Sequence, residues 1–179
     1  MRRDQLEHAI RAACDVSSDT ELYIVGSQAI LGQYPEAPDP LRASIEVDLQ
    51  PKNLPETTDM IDGVLGELSR LHETHGFYVH GIWLEGLALP GGWEGRTIPV
   101  CNRATLGHTG HCLEAHDLAA SKLGAFREKD REFVTTMLAE RLANGTTLLA
   151  RLSTLPVEPE LREKIVKWTT GVLRDLESS

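Results

Sequence analysis

The sequence predicts an α/β fold of the α+β kind, with a mixed β-sheet and a helical C-terminal portion. Short β-prone segments bounded by glycine and proline turns alternate with helical segments as far as about residue 113. Residues 114–179 instead show apolar side chains at helical spacing. A chain of 179 residues can bury one substantial core, so we expect a single domain over residues 1–179.

The first elements predicted are a helix, a strand, a tight turn and a second helical segment. Apolar side chains at helical spacing predict an amphipathic helix over residues 3–15. Residues 21–25 are β-prone and stop at Gly26 and Ser27, after which residues 28–31 return to a helical composition. The pattern therefore predicts a strand, a turn and a helix in close succession.

A second strand follows a loop that contains three prolines within residues 35–40. Over residues 44–49, apolar and polar side chains alternate, which is the pattern of a half-buried strand. Because successive side chains point to opposite faces, we expect Glu46 and Asp48 to project from the same face.

The middle of the chain predicts one helix and three short strands. Pro55 can open a helix over about residues 56–72. Beyond it, residues 77–80, 82–89 and 97–101 are β-prone and separated by glycine and proline turns. These strands indicate an antiparallel portion of the sheet.

The last third predicts helices punctuated by Gly145 and Pro156. Trp168 falls on an apolar stripe of the last helix, so we expect it to be buried. The three cysteines show no CxxC spacing, which argues against a disulfide framework and a cysteine-rich zinc site, and we expect them to be buried thiols.

Charge and hydropathy narrow the class of function. The sequence has no run of about 18 apolar residues, and its charged start leads into an amphipathic helix, so we expect a cytoplasmic protein without a membrane partner. The net charge of -9 argues against a broad nucleic-acid surface, because nonspecific phosphate binding needs a basic one. A local basic pocket for one triphosphate or one RNA end is compatible with this charge.

One constellation combines the Gly26-Ser27 turn with Glu46 and Asp48. A glycine lets the backbone approach a ligand closely, and the amides and hydroxyl at a helix start can bind phosphate oxygens. Two carboxylates on one face can hold a hard cation such as Mg²⁺, which bridges protein carboxylates to substrate phosphates. The spacing therefore indicates a site for a metal-bound nucleoside triphosphate.

The order of these elements resembles a known family. A strand, Gly-Ser and a helix, followed by acid-apolar-acid on the next strand, is the core motif of the polymerase-beta-like nucleotidyltransferases. The likeness extends to residues 32–35, 66–69, 89–93 and the block 113–134. Together they are similar to bacterial nucleotidyltransferase-like proteins related to the AbiEii and MenT toxin groups.

That resemblance implies roles for the first constellation. Gly26 and Ser27 would bind the triphosphate, while Glu46 and Asp48 would hold Mg²⁺, with Mn²⁺ as the alternative ion. A nucleotidyl group would pass from a nucleoside triphosphate to a hydroxyl of an RNA, such as a tRNA 3′ end, or of a protein. It further implies a toxin of a toxin-antitoxin system, with an antitoxin as partner.

A second constellation runs from Asp117 to Asp130 and resembles the late lysine and aspartate motif of the same families. By that match, Lys122 would neutralise triphosphate charge and Asp130 would orient a group or act in catalysis. Arg127 and Lys129 would add positive charge beside the phosphates or an RNA acceptor. From composition alone, the block is typical of a solvated helical face with local ion pairs.

Two alternatives stay open. The chain departs from the family pattern in having Glu46 where aspartate is usual, and no third strand carboxylate is evident, which favours a noncatalytic nucleotide-binding or protein-interaction module. Two groups of histidines could instead form a zinc-dependent hydrolase, although their spacings match no common zinc pattern. The groups are His72, His75 and His80, and His108, His111 and His116.

Overall fold

The computed structural model describes residues 1–178, which divide into two compact units. The first unit comprises Met1–Gly86 and Thr97–Glu114, and the second comprises Leu87–Arg96 and the chain from Ala115 onward. The first unit contains a five-stranded mixed sheet and the second is helical. The predicted α+β class with a helical C-terminal portion is thereby confirmed.

The elements of the described residues have the following bounds. The strands are β1 (Glu21–Val25), β2 (Glu46–Pro51), β3 (Tyr78–Gly81), β4 (Ile98–Val100) and β5 (Thr109–Cys112). The helices are α1 (Arg3–Ser17), α2 (Ile30–Gln33), α3 (Asp39–Arg42), α4 (Thr58–Leu65), α5 (Arg70–His75), α6 (Ala115–Ala125), α7 (Glu128–Ala139), α8 (Gly145–Ser153) and α9 (Pro159–Glu177). The main segment of the second unit thus begins next to the boundary at residue 114 that the sequence predicts. That the two units act as a single domain stays a prediction.

The sheet has the strand order β3-β2-β1-β5-β4 and mixes both orientations. β2 runs antiparallel to β1 and parallel to β3, and β5 runs parallel to β1 and antiparallel to β4. β2 is therefore an interior strand between β1 and β3, and its side chains have neighbours on both sides.

The two faces of the sheet differ in polarity. Alternate residues of the strands are apolar and fully buried, and helices α1 and α4 pack together on the sheet. The buried set includes Leu22, Ile24, Val47, Leu49 and Val79. The intervening residues point the other way, are only partly buried and are largely polar, so the strands present a polar face.

Strand β5 lies in the sheet interior although the sequence analysis did not predict it. Its Gly110 sits where α1 crosses the sheet, and a Cβ atom there would lie 2.6 Å from the Cδ1 atoms of both Ile10 and Ile24. The position requires glycine, a residue with low strand propensity, and the polar His111 comes next, so the sequence of β5 gives only a weak strand signal. Packing against the helix thus outweighs a weak local signal.

Two predicted elements are wrong in the segment between residues 56 and 89. The helix predicted over 56–72 is interrupted, because Gly66 adopts an extended conformation and Ser69 caps α5 by accepting a hydrogen bond from the His72 amide. The strand predicted over 82–89 is absent, and a short 3-10 turn at Leu84–Gly86 replaces it. There the Leu84 amide donates to the Gln50 side chain instead of to a strand.

Gly145 lies at a break between helices, as expected: it is the first residue of α8, which the Asn144 side chain caps by accepting from the Thr147 amide. Two side-chain expectations need correction. Cys101 is exposed in the loop after β4, whereas Cys14 and Cys112 are buried as expected. Trp168 is only half-buried on α9.

In the second unit, a buried carboxylate joins a loop to two helices. Asp117 of α6 is fully buried and accepts two hydrogen bonds from Arg96, at 2.8 and 2.9 Å. Arg151 of α8 approaches the same carboxylate at 3.0 Å. Because a buried carboxylate is tolerated only when it is paired, this arrangement fixes residues 87–96 to the helices.

In the first unit, Asp19 connects the ends of β1 and β2. Its buried carboxylate accepts hydrogen bonds from the amides of Glu21, Asn53 and Leu54, and from the Asn53 side chain, at 2.7–3.0 Å. Burial opposes ionisation, but these hydrogen bonds hold the pKa of Asp19 below its ordinary value of 3.8. The charged carboxylate therefore stabilises the fold.

Replacing Asp19 with asparagine should lower the free energy of unfolding by about 2 kcal/mol at neutral pH, because charge-assisted hydrogen bonds are lost. Since the folded pKa is depressed, the carboxylate stabilises the protein above pH 3.8 and loses this effect as the pH falls through the folded value. Urea unfolding measured from pH 7 to pH 3 should therefore show a flatter acid limb for Asp19→Asn. Asp15→Asn, on an exposed side chain, is the control, and equal curves for both variants would contradict the assignment.

Candidate metal centre

The centre is built by the pairing of β2 with β3. In the parallel register, Glu46 lies beside Tyr78 and Asp48 lies beside His80. Because both pairs occupy alternate positions, all four side chains project from the polar face of the sheet. The prediction that Glu46 and Asp48 share a face is thus met on β2.

Three of these side chains converge on one point. The Nδ1 atom of His80 lies 3.1 Å from Oε1 of Glu46 and 3.2 Å from Oδ1 of Asp48. One potential ligand atom from each residue lies within 4.8 Å of the others, which is compatible with a single shared cation. The side chains are 35%, 24% and 43% exposed for Glu46, Asp48 and His80, so an ion from solvent can reach them.

Negative charge accumulates around this group. Burial comes first among the effects that raise the pKa of Tyr78, followed by the charges of Glu46, Glu67 and Asp48 and a hydrogen bond with Glu46. The phenol therefore remains protonated over a wide pH range. Several carboxylates within electrostatic reach of one phenol create a local field that attracts a cation.

Gly26 touches the centre directly. It has a φ of +66°, and a Cβ atom at this position would lie 2.0 Å from Oδ2 of Asp48. No other residue has both the backbone freedom and the absence of a side chain that this contact requires. The turn after β1 and the acid on β2 therefore form one structural feature, as their common place in the predicted site suggested.

The residues after Gly26 form a short helical segment. Ser27 is half-buried and begins a 3-10 turn that continues into α2. Gln28 is fully buried, and neither polar atom of its side chain has a hydrogen-bond partner among the described residues. An unsatisfied buried amide costs about 1–3 kcal/mol. A positive-φ glycine and an unpaired buried amide thus lie two residues apart in the segment beside Asp48.

The predicted late motif forms a separate cluster within the second unit. Asp130 is buried, with Arg127 Nε at 2.6 Å and Lys122 Nζ at 3.5 Å from its carboxylate oxygens. Lys122 also lies 5.0 Å from the ring centre of Phe133. Lys129 is exposed on the first turn of α7. These contacts join α6 to α7, and the predicted phosphate and catalytic roles of this cluster stay predictions.

His80 is the residue that the sequence analysis did not connect with the acid pair. It was grouped with His72 and His75 as a zinc candidate, but only Glu46, Asp48 and His80 form a metal-ligand group of three or more among the described residues. The remaining histidines have other contacts: His75 packs against Phe77, and His111 lies 2.7 Å from Glu21. The sequence feature that could have identified His80 is its position two residues after Tyr78 on a β-prone segment, which places both side chains on one face. This feature points to the acid pair only when β3 is known to pair with β2.

No protein-family model, curated protein or solved structure matches the chain. None of the helices described is both long and apolar enough to cross a membrane. The inference of function therefore depends on the residues and geometry of the centre.

Replacing Gly26 with alanine should weaken metal binding about tenfold, because the new Cβ atom displaces the Asp48 carboxylate. The control is Gly76→Ala, which also has a positive φ, of +71°, but whose added Cβ atom meets no atom within 4 Å. Gly76 lies in the left-handed helical region, with a ψ of 20°, so Gly76→Ala should lose about 1–2 kcal/mol of stability from backbone strain. Gly26 has a ψ of -169°, a conformation that is essentially restricted to glycine, so Gly26→Ala should lose more. Calorimetric titration with Mn²⁺ separates the two effects, and equal affinities in the two variants would contradict the contact between Gly26 and the metal centre.

Proposed function

We propose that the chain is a metal-dependent nucleotidyltransferase, in which Glu46, Asp48 and His80 hold the catalytic divalent cation. The observation that carries this proposal is the meeting of two carboxylates and an imidazole beside a positive-φ glycine that contacts one of them. This arrangement gives physical support to the acid pair and the Gly-Ser turn that resemble the polymerase-beta-like enzymes. His80 adds a third potential ligand atom to the acid pair.

The donor set bears on which cation is preferred. Mg²⁺ prefers an all-oxygen environment, whereas an imidazole nitrogen suits transition metals such as Zn²⁺, and carboxylates suit both Mg²⁺ and Mn²⁺. The two carboxylates keep the centre suited to a hard divalent ion, and of the two hard ions Mn²⁺ is the transition metal. We therefore propose Mn²⁺ as the more effective cofactor and Mg²⁺, the ion predicted from the sequence, as the weaker one.

The reaction proposed is an in-line displacement at the α-phosphorus of a nucleoside triphosphate. The oxygen of an acceptor hydroxyl forms the new bond to phosphorus, the bond to the β-phosphate oxygen breaks, and pyrophosphate leaves. The hydroxyl proton passes to solvent. A divalent cation supplies charge stabilisation for the phosphate oxygens, while Glu46, Asp48 and His80 position it.

The chain's own residues have further proposed parts. Gly26 keeps the backbone close to Asp48, so that the Gly-Ser turn and the cation can share one triphosphate. The phosphate-binding roles of Ser27, Lys122, Arg127 and Lys129, and a catalytic role of Asp130, are supported by the resemblance. The same holds for a hydroxyl of RNA or protein as the acceptor, and for a toxin activity with an antitoxin partner.

Replacing Asp48 with asparagine should reduce transfer about a hundredfold, because a neutral amide holds the cation poorly while the shape of the side chain is kept. The assay follows label from α-labelled ATP, CTP, GTP and UTP into total RNA and into protein, with Mn²⁺ and Mg²⁺ in parallel. We expect faster transfer with Mn²⁺. Asp62→Asn, on an exposed face of α4, controls for the loss of one negative charge.

The outcomes separate the proposed enzyme from its rival. Transfer by the wild type that is lost in Asp48→Asn and retained in Asp62→Asn supports the proposal. Equal transfer by Asp48→Asn and the wild type would overturn it. Metal and nucleotide binding without transfer to either acceptor class would instead favour the noncatalytic nucleotide-binding module.

A further inference from the structure

An open groove of about 440 Å³ lies on the second unit, between the start of α7 and the face of α9. Three cations and two aromatic rings line it, namely Arg131, Lys164, Lys167, Phe126 and Trp168. Gly171 also lines the groove and, without a side chain, leaves it open. Asp175 is the single acid among the lining residues. The groove is therefore positively charged, in a chain whose net charge is -9.

Two of the three cations of this groove contact an aromatic ring instead of a carboxylate. Lys164 Nζ lies 4.9 Å from the ring centre of Phe126, and the guanidinium carbon of Arg131 lies 5.2 Å from it. Within the part of the chain that the structure describes, no carboxylate forms an ion pair with Arg131, Lys164 or Lys167. A cation–π contact positions a positive charge without neutralising it, so this charge remains available to an anionic ligand.

The aromatic residues add a second kind of recognition. Trp168 packs perpendicular to Phe126, with ring centres 6.0 Å apart, and is half-buried. Phe126 has a φ of +50°, an unfavourable conformation for a bulky side chain just after the end of α6. Glycine or asparagine would adopt this conformation at lower cost. The ring keeps two cations next to an indole.

We propose that this groove binds single-stranded nucleic acid. Its cations contact the phosphates, and a base stacks on the indole of Trp168, the combination by which proteins bind single strands without sequence readout. An acidic peptide would satisfy the cations but would leave the indole without a flat partner. The proposal does not rest on the nucleotidyltransferase activity, because it concerns binding to a site in the second unit.

Gly171 provides the sharpest test, because a Cβ atom added there meets nothing within 4 Å. Gly171→Gln should fill the groove without changing charge, and glutamine is a better helix former than glycine, so the fold should be at least as stable. We expect binding of a fluorescein-labelled ten-nucleotide single strand, measured by anisotropy, to weaken about tenfold. Gly63→Gln, at the equally open helical glycine of α4, should leave affinity unchanged.

Two further variants separate charge from stacking. Lys164→Gln should reduce the slope of log affinity against log salt by about 0.7, the value for one phosphate contact on a single strand. The control Arg103→Gln removes an exposed charge of the first unit and should leave the slope unchanged. Trp168→Leu keeps an apolar side chain and should weaken binding while preserving the slope.

The binding assays use the full chain with EDTA present, and repeat the measurement in Asp48→Asn, so that loss of transferase activity does not affect them. Unchanged affinity in both Gly171→Gln and Lys164→Gln would overturn the proposal, as would no binding by the wild type at low salt. Equal competition by a glutamate-rich peptide or by a mononucleotide would also overturn it, because it would indicate an acidic protein or a free nucleotide as the ligand.

Discussion

The register of β2 between its two neighbours is the constraint on which the metal centre depends. Antiparallel pairing with β1 sets Asp48 opposite Val25, the residue before Gly26, and parallel pairing with β3 sets it beside His80. A slip of one residue would turn the two acids towards the apolar face and break both relations. The buried side chains on the other face, Val47 and Leu49, therefore help to secure the centre, because a slip of one residue would turn them towards the polar face.

Positive charge is used in two ways in the second unit. Arg96 and Arg151 surround the buried Asp117, and Lys122 and Arg127 surround the buried Asp130, so that these charges fix helices and a loop. At the groove beside Phe126, Arg131 and Lys164 instead contact a ring and keep their charge. Buried ion pairs contribute specificity of arrangement more than net stability, whereas uncompensated cations are useful for binding anions. A strongly acidic chain can in this way retain a local basic surface.

The sequence was informative wherever a signal was local. Alternation around Glu46 and Asp48 correctly predicted two acids on one strand face, and the Gly-Ser turn correctly marked the end of β1. His80 was missed as a partner of the acids because its closeness to them depends on the parallel pairing of β2 with β3. These strands are separated in the sequence by a connection that contains α4 and α5. Strand β5 was not predicted because it contains Gly110, a residue with low strand propensity. The glycine is required by the close packing of α1 on the strand, and a local sequence pattern does not reveal that contact. Likewise, the apolar stripe of the last helix predicted a buried Trp168, but the side chain is only half-buried, with its ring packed against Phe126.

The central claim is that Glu46, Asp48 and His80 bind one cation, and an anomalous difference map from crystals soaked in Mn²⁺ tests it most directly. We expect one strong peak, in contact with a carboxylate oxygen of each acid and with Nδ1 of His80, on the polar face of the sheet beside Gly26. A map with no peak at these three side chains, or with the ion bound only elsewhere, would contradict it.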